Sequence, residues 1–250
     1  MDIRRGLLLV LLLSVALPSN AQPYGYFSSN PKTEWLPDGR LMVLLEDFTF
    51  VDTKGMIWTA KAIPRLEIDG ASIPQEFWST IGGPFEGQYR NASVVHDAEC
   101  TAPYKHDWRD VHYMFYVASR AGGVDEAKAK LMYAAVYHFG PRWAWNGNPP
   151  PERTLDSRDD LLRLSVMLVK NRDLTVDTIS GLSTQQLQAA VPNIELEGAR
   201  ACFDKLLRLR ALGASRTHPT YRGYFEALVA EQRQLHDDFQ RSCPEFSTFE

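Results

Sequence analysis

The 250 residues contain no glycine-rich nucleotide loop of the Rossmann or Walker type and no Gly-x-Ser-x-Gly elbow. That removes the common dinucleotide, nucleoside-triphosphate and serine-hydrolase frames. No basic patch stands out against a net charge of −4, which argues against a nucleic-acid partner. Beyond residue 21 no apolar run approaches the ~20 residues that cross a bilayer, so no transmembrane segment is expected in the mature chain. Internal repeats and low-complexity tracts are absent as well. Cysteine is scarce, with only Cys100, Cys202 and Cys243. Three exclude a dense disulfide scaffold and allow one disulfide plus one thiol.

The obvious pair is Cys202 with Cys243, on two apparent helices joined near residues 214–219. A simple antiparallel hairpin sets Cys202 opposite a residue near Ala230, roughly 20 Å from Cys243 at 1.5 Å per residue. A disulfide needs Cα atoms within about 7 Å, so the pairing stays open.

What is present begins with a leader. Arg4 and Arg5 precede an apolar run over residues 6–17, and Ser19, Asn20 and Ala21 follow with small residues at the positions a signal peptidase reads. The pattern is that of a secretory signal peptide, cut after Ala21, and it places the chain in the periplasm or outside the cell. The rest divides at "RWAWNGNPPPER", a proline-rich joint. Residues 22–145 form an α+β core and residues 152–250 a mostly helical extension.

Residues 22–31 are polar and aromatic without a period, an extended lead-in. From Glu34 to Ile68, "RLMVLLEDFTFVD" and "MIWTAKAI" carry β-branched and aromatic residues between the turns "PDGR" and "DTKG", which predicts three or four antiparallel strands. "GASIPQEFW" contains a helix start in which Ser72 and Gln75 can close a capping box. Further helices are expected over about 91–100, 107–121 and 125–139, the last two stopped by Gly122-Gly123 and Gly140-Pro141. Past the joint, helices are expected over 155–171, 183–191, 196–212 and 221–242.

The chemistry concentrates in "VVHDAEC", residues 94–100. On a helix, Ala92, Val95, His96 and Glu99 share a face, while Asp97 lies about 100° round beside Ser93 and Cys100. His96 and Glu99 can chelate one ion, or Asp97 can bind an ion beside a catalytic His96. On the next helix Trp108, Val111, Phe115 and Ala118 make the apolar stripe, with His112 at its edge. On the one after, Ala127, Leu131, Ala134 and His138 align. Short connections make such helices antiparallel neighbours, so His96, His112 and His138 are candidates to converge. The competing reading is a set of buried histidines satisfied by carbonyls or neighbouring acids. Glu99 is expected in solvent, and Cys100 in a structural role or a disulfide.

Several spaced motifs carry a resemblance: Asp69-Gly70-Ala71-Ser72-Ile73-Pro74, Trp78, Gly83-Pro84, His96-Asp97 and the helix bearing Phe115. Over roughly residues 40–143 the chain resembles domain-of-unknown-function family 1353 of bacteria and their phages. The resemblance implies no established activity. It puts weight on Asp69, His96 and Asp97, and leaves Asp110 and His112 competing as the partner of His96. A looser likeness is to secreted phospholipases A2, in which a glycine-rich calcium loop precedes a His-Asp helix and an antiparallel helix orients the histidine.

The expectation is therefore an α+β protein with a small antiparallel sheet, a helical layer and a helical extension. His96, Asp97 and His112 are the catalytic candidates. Asp69, His96, Asp97 and His112 are the candidate ligands of a divalent metal, calcium or zinc. Hydrolysis of a cell-envelope substrate such as a phospholipid, peptidoglycan or another glycan suits histidine and acids without a cofactor motif. The alternative is a non-catalytic periplasmic binding or assembly module. In it "PYGYF" and "RWAWNGNPPP" meet a protein partner, and the His-Asp pair is structural.

Overall fold

The computed structural model describes residues 23–38, 40–70, 73, 77–83, 85, 87–215 and 222–250. The leader with its cleavage point after Ala21 and the Ser72–Gln75 capping box lie outside the described residues. The strands are β1 (Tyr26–Phe27), β2 (Thr33–Trp35), β3 (Met42–Leu44), β4 (Phe48–Val51), β5 (Ile57–Ala60) and β6 (Glu67–Ile68). Among the described residues they form two antiparallel three-stranded sheets, in the orders β1-β4-β5 and β2-β3-β6.

The β4–β5 hairpin follows from its turn chemistry. The Asp52 carboxylate accepts the backbone N–H of Lys54 at 2.8 Å and of Met56 at 3.0 Å, and the Trp58 indole N–H at 3.2 Å. Gly55, at φ 80°, supplies the left-handed residue such a turn needs. Period-two alternation then buries Phe48 and Phe50 on one strand and Trp58 and Ala60 on the other. The lead-in is more ordered than its composition suggests, since Tyr26 and Phe27 pair with Val51 and Phe50. Two residues are too few to show a period.

The helices are α1 (Trp78–Ile81), α2 (Arg90–Glu99), α3 (Trp108–Ala121), α4 (Glu126–Phe139), α5 (Arg158–Lys170), α6 (Val176–Ser180), α7 (Thr184–Ala190), α8 (Asn193–Ser215) and α9 (Arg222–Ser242). Short 3-10 turns cover Gly87–Tyr89 and Pro244–Phe249. Starts are set by side-chain caps. Asp107 accepts from Arg109 N–H, Asp125 from Ala127 N–H, and Ser183 closes a capping box with Gln186. The stripe Trp108, Val111, Phe115 and Ala118 is buried. So are Ala127, Leu131 and Ala134 on α4, while α3 meets α4 through Trp108 with Tyr137 at 5.0 Å and Tyr116 with Tyr133 at 6.2 Å. α2 lies between α3 on one side and β4, β5 and β6 on the other. Its polar residues are therefore held in the middle of the fold.

Residues 141–157 run without regular structure apart from the Trp145–Asn148 bridge, whose turn holds Asn146 and Gly147 at φ 51° and 79°. Trp143 is buried, stacks on Tyr104 at 4.2 Å and donates its indole N–H to the His106 carbonyl at 3.0 Å, so it packs the fold. The extension then docks back, with α5 on α4 and α8, α6 on α4, and α8 on α1. One apolar core continues from Phe50 to Phe249.

Cys202 and Cys243 form a disulfide with Cα atoms 5.8 Å apart, which corrects the 20 Å estimate. The hairpin is not symmetric about residues 214–219. Lys205 meets Asp238 at 2.8 Å and Ser242 at 2.7 Å, a register that slides α9 until Cys243 faces Cys202.

Candidate functional site

α2 buries six consecutive side chains, Ala92 to Asp97, and Glu99 beyond them. His96 and His112 are both 0% exposed. His96 Nε2 lies 2.9 Å from His112 Nδ1, and His112 Nε2 lies 3.0 Å from the Pro141 carbonyl oxygen. Phe115 packs on the His96 ring at 4.8 Å and Trp108 lies edge-on to His112 at 5.7 Å. Burial keeps both rings neutral. It holds His96 well below its usual 6.5 and brings His112 down to about 3, against the opposing pull of the Pro141 carbonyl.

These contacts fix the tautomers. A carbonyl only accepts, so His112 Nε2 carries the proton and Nδ1 holds a lone pair. His96 Nε2 must then donate to it, which leaves the His96 Nδ1 lone pair facing the Cys100 thiol. Cys100 closes the group, its Sγ 3.7 Å from His96 Nε2 and 3.9 Å from Nδ1. One donor atom from each of His96, Cys100 and His112 can be chosen so that all lie within 4.8 Å of one another. A tetrahedral zinc ion with bonds of about 2.0–2.3 Å separates such donors by roughly 3.3–3.6 Å. The 2.9 and 3.7 Å spacings, both at His96 Nε2, bracket that range, so an ion would take the place of the Nε2 proton, which would move to Nδ1. The donor set, two neutral imidazoles and a thiol, suits a borderline-soft transition metal better than calcium, which takes oxygen ligands.

The other sequence candidates sit differently. Asp97 is 5% exposed, and its Oδ2 accepts the backbone N–H of Asp69 at 3.1 Å and of Gly70 at 2.8 Å. It anchors the strand-to-loop exit after β6. The Asp69 carboxylate is half exposed and lies 3.8 Å from the Arg40 guanidinium. Asp110 is exposed on the first turn of α3, so His112 is the partner of His96. His138 binds the Ile179 carbonyl through Nε2 at 3.0 Å and Thr154 Oγ1 through Nδ1 at 3.4 Å, so both its ring nitrogens are taken up outside the pair. The phospholipase-like arrangement loses its orienting acid here, because that place is taken by a neutral imidazole.

Two features escape the helical-phase argument. Glu99 is buried, not solvated, and its Oε2 meets His106 Nδ1 at 2.8 Å. His106 comes from the proline-containing loop after α2, and no spacing rule announces it. Cys100 was set with Asp97, yet four residues on from His96 is only about 40° round the helix. That i, i+4 relation was the available signal.

Residues 42–136 match the model of a family described as "Protein of unknown function (DUF1353)". This segment is similar to that family. It holds β3–β6, α1–α3 and nearly all of α4, and with them His96, Cys100 and His112. Two proteins of Sinorhizobium fredii (strain NBRC 101917 / NGR234) are similar. "Uncharacterized protein y4jT" is 45% identical over 140 residues, 55% of this chain and 41% of that protein. "Uncharacterized protein y4iH" is 38% identical over 108 residues, 43% of this chain and 44% of that protein. The chain spans less than half the length of these curated relatives. No solved structure matches. Among the described residues, no helix is long and apolar enough to cross a membrane.

Proposed function

We propose that the chain is an exported, metal-dependent hydrolase of a cell-envelope substrate, with His96, His112 and Cys100 as the ligands of a zinc-like ion. The observation that carries it is the two-imidazole, one-thiol cluster ordered by the Pro141 carbonyl. A second-shell carbonyl that fixes the tautomer of a ligating histidine is a recurrent feature of metal sites. Three protein ligands leave one tetrahedral position for water, and the ion lowers that water's pKa towards neutrality. Cys100 is the one member of the cluster with solvent exposure, so substrate approaches from its side. Export is supported by the Arg4-Arg5 leader and by the Cys202–Cys243 disulfide, which suits an oxidising compartment.

The second reading is a periplasmic binding or assembly module with a structural His-Asp pair. It is favoured by the complete burial of both rings and by the Asp97 bonds to the 69–70 backbone. Metal content and melting temperature of the mature protein separate the two, measured for wild type, His96→Ala and Cys100→Ser. The proposal expects near-stoichiometric metal in wild type and its loss in both variants. A metal-free wild type whose melting temperature is indifferent to added zinc sinks it.

A further inference from the structure

On the other flank of α2, away from His96, lies a cavity of about 590 Å³. It is walled by β2, by the Phe85 turn and by the first turns of α2, and its size is within the range of ligand pockets, about 300–1,000 Å³. Trp35 stands at its rim, 56% exposed. More than half of this large indole is left exposed on a three-residue strand. Phe85 meets the Trp35 ring at 5.5 Å and 83°, which braces the indole.

The polar wall is planar and only partly occupied. Arg90 donates its Nε–H to the Phe85 carbonyl at 3.0 Å, which sets the guanidinium against the cavity wall. Asn91 Nδ2 donates to Asn30 Oδ1 at 3.5 Å. That contact leaves the Asn30 amide N–H groups and the Asn91 carbonyl oxygen to serve a ligand. One donor and one acceptor, both amides, match the carbonyl and N–H of an acetamido group. The exposed indole matches the C–H face of a pyranose ring. The Arg90 fork matches a carboxylate.

We infer that this groove binds an acidic, N-acetylated amino-sugar chain, the chemistry of a peptidoglycan glycan strand. The inference rests on the envelope location proposed above and names the substrate class left open there. It does not rest on the metal. A nucleobase would also stack on Trp35, but the chain's net charge of −4 disfavours a polyphosphate strand.

The test is calorimetric titration of the full mature chain, in a chelator, with the N-acetylglucosamine–N-acetylmuramic acid disaccharide and with chitobiose, which lacks the carboxylate. Wild type is expected to bind the acidic disaccharide about tenfold more tightly than chitobiose. Trp35→Ala is expected to weaken both by about tenfold or more at an unchanged melting temperature, with Trp35→Phe between. Arg90→Gln is expected to reduce the acid preference to within about twofold. Three results overturn the inference: no binding at about 10 mM disaccharide, chitobiose binding as tightly as the acid, or a folded Trp35→Ala variant that binds as wild type does. Sugar binding is thus read without metal, and metal content is read separately on protein purified without chelator. Protein purified metal-free that still binds sugar rejects only the metalloenzyme, and protein purified metal-loaded but blind to both sugars rejects only the groove.

Discussion

Two seams of this molecule are held by buried polar side chains, and they end differently. Where α4 meets the extension, buried polar groups reach fixed backbone carbonyls. His138 donates to Ile179 and Lys130 to Arg172 at 2.7 Å, and the exposed Arg153 adds bonds to Gly140 at 2.9 Å and to His138. Where α2 meets α3, the relay starts on the Pro141 carbonyl, passes through His112, and ends with His96 Nδ1 facing the Cys100 thiol. Burial is the same in both places, and so is the direction in which it pushes the imidazoles. The difference lies in where the second ring nitrogen leads. A histidine whose nitrogens reach a carbonyl and a hydroxyl is architecture, and one whose nitrogens reach a second imidazole and a thiol, both ligating groups, is a candidate ligand.

The largest effect expected from breaking this contrast is at Asp97, which shares α2 with the relay but behaves like the seam. Asp97→Ala removes a buried carboxylate and orphans the N–H groups of Asp69 and Gly70. Hydrogen bonds to a charged group contribute about 1.5–3 kcal/mol each, so the loss is about 4–5 kcal/mol in chemical denaturation. Metal content, where the fold survives, should be unchanged. A stable Asp97→Ala protein that has lost its metal would move Asp97 into the ligand set and erase the distinction drawn above.

The disulfide of the extension ranks next. Cys202 and Cys243 are 41 residues apart in sequence, a loop whose closure stabilises by about 4 kcal/mol in the chain-entropy account. The double variant Cys202→Ala/Cys243→Ala should lose about that much and keep the ligand cluster's metal. Loss of metal at a retained fold would show that the extension reaches into the site.

His138 supplies the pH test. Its imidazole titrates at about 4 in the fold against 6.5 when unburied, mainly through desolvation. As pH falls the unfolded chain takes up the proton first. The stability His138 contributes is thus complete above pH 6.5, drains between 6.5 and about 4, and is level below. The gap is worth about 3 kcal/mol. His138→Gln should flatten the stability profile between pH 7 and 4.5 by that amount, measured by urea unfolding beside wild type. An identical slope in the two proteins would mean that burial leaves the His138 pKa where it is in the unfolded chain.

Much of this was legible beforehand, and the failures have physical causes. The amphipathic period placed α2, α3 and α4 within a residue or two and set His96 against His112, because a stripe such as Trp108, Val111, Phe115 fixes which way a helix faces. Cys100 was misplaced because whole-helix faces were assigned where the i, i+4 step from His96 was the sharper rule. The interleaved strand order β1-β4-β5 and β2-β3-β6 was illegible, since pairs such as Phe27 with Phe50 are set by tertiary packing and leave no mark in strands of two to four residues. The α8–α9 register was illegible for a related reason. Helical periodicity fixes a face and says little about how far one helix slides along another, and here that slide decides the disulfide.

The smallest expected effect is at Asp69, the residue on which motif and geometry differ most. Its backbone N–H is held by Asp97, while its carboxylate is half exposed and 3.8 Å from Arg40. Exposed pairs of this kind contribute about 0–1 kcal/mol and are screened by salt. Asp69→Asn keeps the backbone bond and removes only the charge, so stability should move by less than about 1 kcal/mol and metal content not at all. The motif's aspartate then acts through its backbone and through the sharp exit at Gly70, φ 90°, that Asp97 stabilises. If Asp69→Asn instead strips the metal from a stable protein, the half-exposed carboxylate swings in to ligate. The cluster would then be a four-ligand centre whose last member lies at the surface, and the closed seam and the open site would meet at that side chain.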